Sequence, residues 1–250
     1  INAADNITNT GTINVDSAAG KNNIGMRVDK GTVATDSSGV PEAKSTGTIN
    51  LSGDSSIGMI STEALATNTG TIKTTGTTPK NLIGMATQGG TINNTSDIKI
   101  DGESNIGMFN TSKGTTPGTA TNSGNITNST ATDKSLIGIY ADSGTTTNGG
   151  TVNLKGTEVK GIVSNGSTAS TSNTGTVSTN GTKAVSIAAL SGTVTTTGTV
   201  NIEGTSGMGL YTGKSGTSTG TINANGGSIN SKNGGINVFA DKGTINLNGA

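Results

Sequence analysis

A short unit of the form Gly-Thr-Ile/Val-Asn, with variants, recurs along the chain. Its apolar residue returns at Ile13, Ile49, Ile72, Ile98, Ile126, Val152, Val177, Val200, Ile222 and Ile245. The intervals are 36, 23, 26, 28, 26, 25, 23, 22 and 23 residues. A repeat this short cannot bury an apolar face alone, but repeats stacked on one another can share one continuous thin core.

A second unit lies between the first: Ile24-Gly25-Met26, Ile57-Gly58-Met59, Ile83-Gly84-Met85, Ile106-Gly107-Met108 and Ile137-Gly138-Ile139. It weakens later to Gly161-Ile162, Val185-Ser186-Ile187, Gly207-Met208 and Gly235-Ile236. A third segment follows it at Thr32-Val33-Ala34, Ala64-Leu65-Ala66, Thr91-Ile92-Asn93 and Thr193-Val194-Thr195. Within each segment apolar residues alternate, as in Ile13 with Val15, Ile49 with Leu51 and Val152 with Leu154. Period two marks strands with one buried face. Three strands per repeat, each pairing with its counterpart in the next repeat, predict an all-β, right-handed parallel β-helix of about ten coils. Residues 1–250 read as one continuous segment, and both ends fall within repeats, as expected of a piece cut from a longer rod.

The expected core is the column from Ile13 to Ile245 together with the column from Met26 to Ile236, Met208 included. The expected outward columns run from Thr12 through Thr48, Thr71, Thr151, Thr176, Thr199 and Thr221 to Thr244, and from Asn14 through Asn50, Asn153, Asn201 and Asn223 to Asn246. If Ile and Met of the second unit both point inward, Gly25, Gly58, Gly84, Gly107, Gly138 and Gly161 form a bare outward strip.

Composition narrows the function. Only 28% of the chain is hydrophobic and 2% aromatic, with no Trp, so the interior must be thin. Fifteen basic and 15 acidic residues cancel, and Arg27 is the sole arginine. Nucleic acid is not an expected partner, because phosphate binding needs a basic stripe. Without His or Cys the chain lacks the usual general base and metal ligands, and no cofactor, metal or catalytic residue is expected. No apolar run reaches the ~20 residues of a membrane-spanning helix.

The units Asn68-Thr69-Gly70-Thr71-Ile72-Lys73 and Asn81-Leu82-Ile83-Gly84-Met85 resemble the passenger region of the large autotransporter adhesins of fusobacteria, and the likeness covers nearly the whole chain. The resemblance implies type V secretion: a signal peptide, a long β-helical passenger and a C-terminal outer-membrane β-barrel in the same parent chain. It also implies a location at the bacterial cell surface. The implied role is adherence, to a host glycan or protein receptor or to other bacteria.

Two other functional classes also use β-helices. A polysaccharide lyase or hydrolase needs clustered carboxylates with basic neighbours. Asp97, Asp101 and Glu103 with Lys73 and Lys99 are the best local set, and a solvated patch explains them as well. An ice-binding rod would use the Thr ladder, but Asn, Lys73 and Lys99 fill the column beside it. Binding is expected instead at two insertions, Thr35 to Lys44 and Thr111 to Gly118, which carry Glu42, Lys44 and Lys113. Phe109 and Tyr140 share an outward position in neighbouring coils and form a further candidate contact.

Overall fold

The structure is a computed structural model and describes residues 2–3, 6–16, 22–30 and 40–249. Every regular element among the described residues is a β-strand. The strands form three sheets, visited in turn, and apart from one short hairpin in the second sheet their neighbouring strands pair in parallel. The first sheet has ten strands, from Asn2–Ala3 through the Ile-Gly-Met segments to Ile236–Ala240. The second runs from Ile7–Asn9 to Thr244–Leu247, and the third from Thr12–Val15 to Ser228–Ser231. The chain is a parallel β-helix, and its complete coils number slightly fewer than the ten expected.

The Ile column holds for most of the rod. Ile13, Ile49, Ile72, Ile98, Ile126, Val152, Val177 and Val200 are register partners in the third sheet. The expectation fails after Val200, whose partner is Ile229. Ile222 and Ile245 continue the second sheet from Val194, and they take Thr221, Asn223, Thr244 and Asn246 with them. The cause is a hairpin, in which Lys214–Ser215 turns back antiparallel on Ser218–Ala224. Those extra residues let the next Gly-Thr-Ile-Asn unit fall one sheet early. The unit fits either sheet, since each asks only for an inward apolar residue between outward polar ones.

The first sheet corrects the reading of the glycine unit. Met26, Met59, Met85, Met108, Ile139, Ile162, Ile187 and Leu210 face the core and are fully buried. The Ile before each glycine is only partly buried and belongs to the outside, where Met208 and Ile236 also fall in register. Glycine faces inward. A Cβ on Gly58 would lie 2.6 Å from the Gly84 carbonyl oxygen and 3.0 Å from Ile72 Cγ2. Glycine therefore makes room for the third-sheet β-branched column and for the backbone of the next coil. Eight strands of this sheet are preceded, two residues ahead, by a left-handed residue: Asn22, Ser55, Asn81, Ser104, Ser135, Glu158, Lys183 or Ser206, with φ of 54–67°. That conformation turns the chain from the third sheet into the first.

One buried feature had not been expected. Asn68, Asn94, Asn122, Asn148 and Asn173 end successive second-sheet strands and are fully buried. Each Nδ2 donates to the Oδ1 of the next asparagine, at 2.8, 2.8, 2.7 and 2.7 Å, and Asn173 closes the series on Thr196 Oγ1 at 3.0 Å. The ladder satisfies amides that would be costly to bury unpaired. Of the expected core, Ile13 and Ile245 are partly buried and Ile236 is exposed, each in a coil covered on one side only. The outward Thr48, Thr71, Thr151, Thr176 and Thr199 are half-buried rather than exposed, because each is flanked by its counterparts along the ladder.

Candidate functional site

The three outer faces differ in chemistry. The third sheet presents Thr, Asn and Lys. The second presents hydroxyls and amides, including Thr119 with Thr121, Thr145 with Thr147, and Thr193 with Thr195. The first sheet is apolar. One outward column reads Ile24, Ile57, Ile83, Ile106, Ile137, Lys160, Val185, Met208 and Ile236. The next reads Arg27, Ile60, Ala86, Phe109, Tyr140, Val163, Ala188, Tyr211 and Phe239. Two apolar columns thus run side by side along the outside of the rod, broken only by Arg27 and Lys160.

This outer stripe packs on itself. Val163, Val185 and Ala188 are buried in a cluster separate from the core, flanked by Ile137, Tyr140, Leu190, Met208 and Tyr211. Phe109 stacks on Tyr140 with ring centroids 5.5 Å apart, and Tyr211 on Phe239 at 6.0 Å. The ring planes lie within 19° and 6° of parallel. Because each ring turns a face toward its neighbour along the rod, the ring edges point outward. An apolar protein surface suits those edges better than a sugar ring, which would need a free aromatic face. The Tyr140 hydroxyl accepts a hydrogen bond from Asn165 Nδ2.

Phe109 and Tyr140 therefore lie where the sequence places them, in adjacent coils and facing out. The other candidates lie elsewhere. Glu42 and Lys44 are not in a loop: they belong to the strand Glu42–Ser45 of the second sheet, where Lys44 is exposed and the Glu42 amide donates to Asn6 Oδ1 at 2.8 Å. Residues 35–39 of that insertion, and Thr32 to Ala34, lie outside the described residues. Lys113 does sit in a turn that leaves the sheet, closed by reciprocal backbone hydrogen bonds with Thr116 at 3.0 and 3.1 Å. Its ammonium is engaged with Glu63 at 2.9 Å, and this hydrogen bond and charge hold the Glu63 carboxyl below its ordinary pKa. The structure does not gather the five candidates into one site.

A small charged group marks one end of the stripe. Arg27 Nε lies 2.7 Å from Asp29 Oδ2. Burial alone would raise the Asp29 pKa, but the hydrogen bond from Arg27, the nearby Thr62 hydroxyl and the charges of Arg27 and Lys113 outweigh it and hold the carboxyl low. The carboxylates weighed for an enzyme are each engaged. Asp97 accepts from Asn125 at 3.0 Å, Asp101 accepts the Ser129 amide, and Glu103 pairs with Lys80 at 2.7 Å. Lys73 and Lys99 are register neighbours, as expected. Among the described residues, no three or more of His, Cys, Asp and Glu gather closely enough to hold a metal ion.

The apolar stripe was legible in part. Its first column is the Ile of the Ile-Gly-Met unit, which sequence reasoning turned inward. Its second column hides in positions of mixed identity, Ile60, Ala86, Val163 and Ala188, which only the register aligns with the aromatics. Residues 33–161, just over half of the chain, match the family described as BigA third pectate lyase-like domain. No curated protein and no solved structure matches the chain.

Proposed function

The chain belongs to the family of the BigA third pectate lyase-like domain, and from that premise we propose that it is a non-catalytic length of a bacterial surface rod, acting as spacer and adhesive surface. The observation that carries this reading is the apolar outer stripe of the first sheet. A rod serving only as a spacer has no need of two outward apolar columns in which Ile57, Ile83, Ile106, Phe109, Tyr140 and Tyr211 stay partly accessible, and contiguous apolar patches mark interaction sites. The family supports a surface protein of adhesin-like passenger type. The finer reading is a passenger of the fusobacterial kind, secreted by a type V route and held by an outer-membrane barrel of the same parent chain. Its partners are a host-cell receptor or the surface of another bacterium.

The test is adherence of cells displaying the full-length parent protein. Ile106→Lys and Tyr140→Ser, placed on the stripe at half-buried positions, are expected to reduce adherence several-fold at unchanged display. Thr147→Lys, on the second sheet, is expected to leave it unchanged. Equal adherence in all three would remove the stripe from the adhesive role.

The description pectate lyase-like keeps a carbohydrate-active enzyme as the second reading. Incubating the protein with acidic polysaccharides and assaying for unsaturated or reducing ends decides it. Turnover above a heat-denatured control would overturn the non-catalytic reading.

A further inference from the structure

We infer that the apolar stripe of the first sheet pairs with the same stripe on a second copy of the chain, the two rods lying antiparallel. This deepens the adhesive reading and rests on the stripe being the adhesive surface. The argument begins with period. The outward side chains repeat once per coil, at the inter-strand spacing of ~4.8 Å. A partner that meets them over many coils must carry apolar side chains at the same spacing. A second copy does so by construction, and two such faces can interdigitate as packed sheets do.

Size agrees with a modest self-contact. From Ile24 to Ile236 the column takes eight steps between register partners. At the strand spacing this makes a stripe ~40 Å long, and two columns of side chains give it a width of ~12–15 Å. Each copy would bury ~500–600 Å², at the low end of specific interfaces and within the class of transient ones. A single pair is then weak, while many rods on facing surfaces bind through multiplicity.

Charge selects the direction. Net charge is zero, so two copies do not repel at long range. Within the two columns the charged residues are Arg27 and Lys160. Parallel, in-register pairing would set Lys160 against Lys160 and Arg27 against Arg27. Antiparallel pairing about a two-fold axis separates these like charges unless the axis passes through their own coil, and the contact stays self-complementary. It is also the arrangement reached by rods that project toward each other from two cells.

The experiment uses the purified chain and reads association in solution, so it can fail while adherence to a foreign receptor survives, and the reverse. Sedimentation equilibrium is expected to show a monomer–dimer equilibrium. Ile106→Lys, a half-buried outward position in the column that already carries Lys160, should lower the association constant at least about tenfold. Phe239→Ser should also lower it, and because Phe239 is 43% exposed this change leaves the fold intact. Thr147→Lys should match the parent. The chain has no cysteine, so single cysteines accept labels at one place. Mixed Gln88→Cys and Asp241→Cys chains should show more energy transfer between copies than Gln88→Cys chains mixed with themselves. A monomer at every concentration, or a dimer indifferent to both stripe variants, would overturn the self-pairing. Stronger transfer between two Gln88 labels would overturn its direction.

Discussion

Ile98 and Thr71 sit in successive coils of the same sheet and show how facing decides energetics. Ile98 is fully buried in the core, and Thr71 is outward and half-buried. Ile98→Ala is expected to cost ~2–5 kcal/mol by removing buried methylenes and leaving a cavity. Thr71→Ala should stay within ~0.5 kcal/mol. Equal losses in urea denaturation would contradict the assigned facing. Gly107 tests the corrected direction of the glycine column. A Cβ there would lie 2.6 Å from the Gly138 carbonyl oxygen and 2.6 Å from Ile126 Cγ2. Gly107→Ala is expected to destabilise by ~1–3 kcal/mol through overpacking. An outward glycine would tolerate the change, or gain from the lost backbone freedom of the unfolded chain.

The buried asparagine ladder is the element whose energetics depend most on its neighbours. Asn122 accepts from Asn94 at 2.8 Å and donates to Asn148 at 2.7 Å. Asn122→Ala would leave an amide donor of Asn94 and an acceptor of Asn148 unmatched in a dry interior. The expected loss is ~1–3 kcal/mol, the cost of unpaired buried polar groups. Asn122→Ala together with Asn94→Ala should cost less than the sum of the two single changes, because both break the same bond. A double-mutant cycle in chemical denaturation measures this, and strict additivity would deny the coupling. Asn ends the strand two residues before a glycine in Asn68-Thr69-Gly70, Asn122-Ser123-Gly124, Asn148-Gly149-Gly150 and Asn173-Thr174-Gly175. That Asn-x-Gly spacing was the available signal. Nothing local in it reveals that the amide turns inward to meet its counterpart a coil away.

At the scale of the whole rod, strand pairing joins each coil only to its neighbours, so stability is distributed as in other one-dimensional stacks. The last coil has one neighbour, and Ile236, Phe239 and Leu247 there are 46%, 43% and 52% exposed. Amide exchange in the isolated chain is therefore expected to be slowest in the middle coils, around Ile98 to Val177, and fastest across Ile236 to Leu247. Uniform protection along the rod would mean that the chain opens as one cooperative unit rather than coil by coil.

Alternation and recurrence in the sequence were enough to determine strands, three per repeat, stacked in parallel around a thin aliphatic interior. They also placed Met26, Met59, Met85 and Met108 in the core and Phe109 beside Tyr140 outside. These conclusions need only the period of a strand and the length of a repeat, which are local properties. The tertiary structure decided what local pattern leaves degenerate. A Gly-Thr-Ile-Asn unit serves the second sheet at Ile222 and the third at Val200, because both present the same alternation and only the residues consumed in turns fix which comes next. The glycine of Ile-Gly-Met turned inward because Ile72 and Ile126 on another sheet occupy the space a side chain would need. The apolar stripe emerged because register brings Tyr140, Val163 and Ala188, far apart in the chain, into one column on one face.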